Sequence, residues 1–248
     1  MIPVFAMRLI CGLSLAWCLI PRREITSGFF RIQNLLCLGL AVLTALSAGQ
    51  FDNLQGSRIL FFGGILSSVV AFLGSIFWTL ERRTGGFRLA TGLCLLATAA
   101  VVGVATVGNV NTQIPAWMRN VDALTAAGLM GSTTAAMLLG HWYLTATGMP
   151  LRPLVQYSML AGAAIILRGL YALGHWSAGG FAESASWPLM ALRWAGLVGP
   201  LIMVWLTIRI LRYRNTQSAT GVLYAATILV FMGEMAAALL ARSGASGA

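Results

Sequence analysis

Residues 58–80 read RILFFGGILSSVVAFLGSIFWTL, and after Arg58 no charged residue occurs until Glu81. A helix rises about 1.5 Å per residue, so this run spans the roughly 30 Å hydrocarbon core of a bilayer. Strict alternation of apolar and polar residues, the mark of a barrel strand, is absent from it. Runs of the same kind recur along the chain, and they define its class.

Seven further stretches carry the same signature. With the first, they place spans at about 3–20, 32–49, 58–80, 87–107, 122–144, 154–176, 187–210 and 219–241. The whole chain is 58% hydrophobic and 9% charged, against about a quarter charged in a soluble domain. The expected fold is an all-α integral membrane protein. It is a bundle of about eight transmembrane helices with short loops, one polytopic domain over residues 1–248. The first span is followed by PRRE, without a small-residue cleavage pattern, and is expected to be a retained helix.

All sixteen basic residues are arginine, and the net charge is +10. The absence of lysine excludes Schiff-base chemistry. These arginines flank spans, so they report orientation, and no nucleic-acid partner is expected. With the N-terminus outside, the inner loops hold Arg22, Arg23, Arg31, Arg82, Arg83, Arg88, Arg152, Arg209, Arg212 and Arg214. The outer side holds Arg8, Arg58, Arg119 and Arg242, a bias of ten against four that places both termini outward. The setting expected is a cell membrane of the bacterial inner-membrane type. The partners expected are the lipid bilayer and other membrane subunits or further copies of the chain.

Four cysteines, Cys11, Cys18, Cys37 and Cys94, fall within spans, and no CxxC motif occurs. Cys11 and Cys18 are seven residues apart and share a helix face; small packing residues are the expected role. In span five, Gly128, Ser132, Ala136 and Gly140 form a small-residue stripe suited to close helix packing. Pro200 interrupts the hydrogen-bond ladder of span seven and is expected to kink it. The connection GNVNTQIPAWMRN (108–120) has room for a short interfacial helix anchored by Trp117 and Met118.

The only histidines, His141 and His175, each stand in a Gly-His-Trp triplet. Topology sets them near opposite faces, separated by roughly 30 Å, so they do not share one haem or metal. A di-haem arrangement needs four histidines. His141 remains a possible cofactor contact.

Three ionisable residues lie inside the last three spans. Arg168 is eight residues before Trp176, Arg193 six after Trp187, and Glu234 seven before Ala241. Their depths from the outer end are about 12, 9 and 10 Å. Arg168, Tyr171 and His175 are spaced to share one face of span six. Charges at such depth face protein or a watery cavity.

Two readings follow: a structural Arg–Glu pair, or a net positive pocket for a quinone carbonyl, haem propionate, lipid phosphate or small anion. Arg168, Tyr171, His175, Arg193 and Glu234 are therefore the candidate ligand-binding or proton-relay residues. No phosphate loop, HExxH or serine-hydrolase triad is legible, so no catalytic or metal residue is named. The expected function is a membrane subunit of an electron-transfer assembly that binds a quinone or shelters a cofactor, with haem b less favoured. The alternatives are a secondary transporter or channel for a small solute or anion, and a structural or assembly subunit.

Overall fold

A computed structural model of the chain describes residues 1–246 except 21, 52, 108–114, 147 and 178–185. Among the described residues there are eight long α-helices and no strand: α1 (Ile2–Leu19), α2 (Ser27–Ser47), α3 (Leu54–Thr79), α4 (Arg83–Val107), α5 (Ala116–Thr145), α6 (Arg152–Ser177), α7 (Trp187–Arg212) and α8 (Thr216–Ser246). All eight are long and apolar enough to cross a membrane.

The helices match the sequence-based spans in number and order; most begin earlier, while α1, α2 and α3 end one or two residues sooner. The clearest difference is α5, which begins at Ala116, so Trp117, Met118 and Arg119 form its first turn and not a separate interfacial helix. Backbone hydrogen bonding extends a helix past its apolar stretch, because polar residues at the ends are helix-competent too. Asp52, Glu183 and most of the two long connections lie outside the described residues.

Caps explain several boundaries. The Asn53 side chain accepts from the amides of Gln55 and Gly56 at the start of α3, and its Nδ2 donates to the carbonyl of Val107 at the end of α4. Asn215 accepts from the amide of Ser218 and opens α8, which begins at Thr216. Proline near the first turn of α1 and α7 costs no hydrogen bond there. Pro200 lies inside α7, which continues as a single helix through it.

The chain divides into two compact units, residues 1–131 and 132–248, with the division inside α5. In the first unit, Gly12 of α1 lies against Ala127 and Gly131 of α5, where a Cβ on Gly12 would come 1.8 Å from the Ala127 carbonyl oxygen. Only glycine allows that approach. Gly64 of α3 similarly meets the backbone of Ala41 and Ala45 on α2. Trp78 stacks on Phe30 with ring centroids 4.5 Å apart. The sequence stripe is corrected at one point: Gly128 faces nothing within 4 Å, and the contact falls to Ala127 and Gly131.

In the second unit, Gly196 of α7 and Gly233 of α8 pack backbone to backbone, with a Cβ on Gly196 falling 2.6 Å from the Gly233 Cα. Gly140 of α5 rests on Thr220 of α8, and the Thr227 hydroxyl lies 3.4 Å from the Thr133 carbonyl oxygen. These small-residue seams hold α5, α7 and α8 together where apolar side chains offer no preference between neighbours.

Candidate functional site

The α7–α8 crossing sets the geometry of the charged residues. Glu234 follows Gly233, and Arg193 is one turn before Gly196. A Cβ on Gly233 would lie 3.4 Å from the Arg193 carbonyl oxygen, so the backbones carrying both residues meet at this seam. From α6, Arg168 reaches the Glu234 carboxylate. Its Nε donates to Glu234 Oε1 at 2.8 Å and its Nη2 to Oε2 at 2.9 Å. This two-pronged pairing matches the planar guanidinium to the planar carboxylate.

All three charges are taken from solvent: Arg168 is 2%, Glu234 7% and Arg193 8% exposed. The matching depths read from the sequence therefore correspond to a physical ion pair for Arg168 and Glu234. Burying ions costs several kcal/mol each, offset only where geometry and hydrogen bonding are good. The double hydrogen bond meets that requirement.

Above the pair on α6, the Arg168 guanidinium carbon stands 5.5 Å from the centroid of the Tyr171 ring, within cation–π range. Tyr171 is followed by His175, with ring centroids 6.1 Å apart and planes tilted by 41°. Both rings are half-buried. Trp176 and Trp194 approach at 5.9 Å and join α6 to α7 beside them. Arg168, Tyr171 and His175 thus form a continuous line from the buried pair toward the end of α6.

His141 stands apart from this line. It is exposed near the end of α5 and meets the Tyr224 ring edge-on at 6.2 Å. Tyr224 and Glu234 are ten residues apart on α8, about 15 Å along the helix. The structure brings Arg168, Tyr171, His175 and Glu234 into sequence, with Arg193 at the same helix crossing, and does not bring His141 to them. Among the described residues, no three His, Cys, Asp or Glu side chains are placed to hold a metal ion.

The Gly196–Gly233 seam escaped sequence reading. The available signal was the pair of glycines in GLVGPL, read there only for its proline, and the isolated glycine before Glu234. The sequence matches no family model, no curated protein and no solved structure.

Proposed function

We propose that the chain is a membrane-embedded subunit of an electron-transfer assembly, with the α6–α8 site receiving a quinone headgroup. Membrane placement is supported by apolar side chains exposed along the helices, among them Leu46, Phe62, Ile166, Leu170 and Ile202. The observation that carries the ligand reading is the second buried arginine. Arg193 is buried at the same crossing as the Arg168–Glu234 pair. Buried guanidinium groups in a water-poor site favour an oxygen that gains electron density on reduction. Tyr171 and His175 lie between this charge and the end of α6, where they are suited to pass protons to such an oxygen.

The test is purification in mild detergent followed by quinone extraction. Near-stoichiometric quinone is expected in the native protein, falling at least about tenfold in Arg193→Gln, which corresponds to about 1.4 kcal/mol. Native protein that retains no quinone and takes none up removes the reading.

A structural or assembly role is the second reading, favoured by the complete pairing of the Arg168 fork with the Glu234 carboxylate. On that reading, Arg168→Gln weakens the fold, while Arg193→Gln changes no ligand content. Proton or solute flux in liposomes that Glu234→Gln abolishes would instead favour transport.

A further inference from the structure

Three of the four cysteines belong to one seam. On α1, Cys11, Ser14 and Cys18 are spaced i, i+3 and i+7, so they share a face. On α4, Thr91, Cys94 and Thr98 do the same. The two faces meet in antiparallel register: Cys11 Sγ lies 3.4 Å from Thr98 Oγ1, and Cys18 Sγ lies 3.9 Å from Thr91 Oγ1. Cys94 falls between those two contacts, one turn from Thr91, so the antiparallel register sets it next to Cys18 across the seam.

Burial then separates the four thiols. Cys11 and Cys37 are buried, whereas Cys18 and Cys94 are both partly exposed. The two partly exposed thiols are neighbours across this seam. Buried thiols in apolar surroundings are inert, and accessible ones next to a second thiol are the oxidisable kind.

We propose that Cys18 and Cys94 form a redox-active dithiol that closes to a disulfide across α1 and α4, with a membrane-soluble quinone as the electron acceptor. The balance is two-electron. Both S–H bonds break, one S–S bond forms, and the two electrons and two protons convert the quinone to its quinol. An apolar oxidant suits the position. Thr91 and Cys94 are three and six residues beyond Arg88, about 5 and 9 Å, and Cys18 is one residue from the end of α1, which sets the pair just inside the apolar run, within reach of a lipid-soluble quinone headgroup. The inference rests on the membrane placement proposed above but not on the α6–α8 site, so Arg193→Gln leaves it unchanged.

The experiment treats the full-length protein in detergent micelles with a decyl-substituted benzoquinone, then alkylates free thiols and maps peptides without reduction. Alkylatable thiols are expected to fall from four to two. A Cys18–Cys94 linked peptide should appear, with one quinol formed per chain. Cys18→Ser and Cys94→Ser abolish quinol formation, and Cys37→Ser does not. Should a serine variant fail to fold, Cys18→Ala or Cys94→Ala carries the same readout.

Four thiols still alkylatable after treatment overturn the proposal. So does a linkage through Cys11. Closure by a diazene oxidant but not by the quinone overturns the quinone as acceptor. Retention in the membrane fraction after an alkaline wash checks membrane placement separately.

Discussion

Arg168 and Glu234 show what a single contact can decide. The pair is buried and doubly hydrogen-bonded, so removing one partner strands the other charge in a medium that cannot solvate it. Arg168→Leu is expected to cost about 3–5 kcal/mol, with Glu234→Leu comparable. The double variant should recover much of that loss, because the apolar pair leaves no stranded charge. Thermal unfolding of the three proteins in one detergent measures this, and equal additive losses would contradict it. Counting residues from the span ends was enough to align these positions in depth. It was not enough to pair them, because that depends on how far each helix is rotated about its axis.

At the scale of helices, glycine placement carries the packing. A Cβ on Gly131 would fall 2.0 Å from the Gly12 carbonyl carbon, whereas one on Gly128 meets nothing within 4 Å. Gly131→Ala is therefore expected to push α1 and α5 apart and cost about 1–3 kcal/mol. Gly128→Ala should be neutral or stabilise by up to about 1 kcal/mol through helix propensity. Denaturation of the two variants side by side reads the difference, and equal effects would contradict the assigned seam.

The stripe of Gly128, Ser132, Ala136 and Gly140 was visible in the sequence as a period of four. Its far end is real, since Gly140 rests on Thr220. Its near end, Gly128, meets nothing within 4 Å, and the contact with α1 is made instead by Ala127 and Gly131. Cys11 and Cys18 were likewise recognisable as one face of α1, yet the thiol opposite them, Cys94, is more than seventy residues further along the chain.

For the whole molecule, the arginine distribution makes its own prediction. Reporters fused at either terminus should read the outer side of the membrane. Single cysteines introduced near Arg23 and Arg214, on a background lacking the native thiols, should be labelled only from the inner side. Opposite readings for the two termini would mean an odd number of crossings, against the eight apolar helices.

Helix number, order and approximate span were determined by the sequence alone, because apolar length adds up locally and each helix satisfies its own backbone. The depth of Arg168, Arg193 and Glu234 followed from the same counting. Tertiary structure decided which residues meet: Arg168 with Glu234, Gly196 with Gly233, Cys18 with Thr91. In hydrocarbon, apolar faces gain little from choosing one neighbour over another. Rotation and pairing are then set by a few close-packed glycines and polar contacts, and these exist only once the helices have come together.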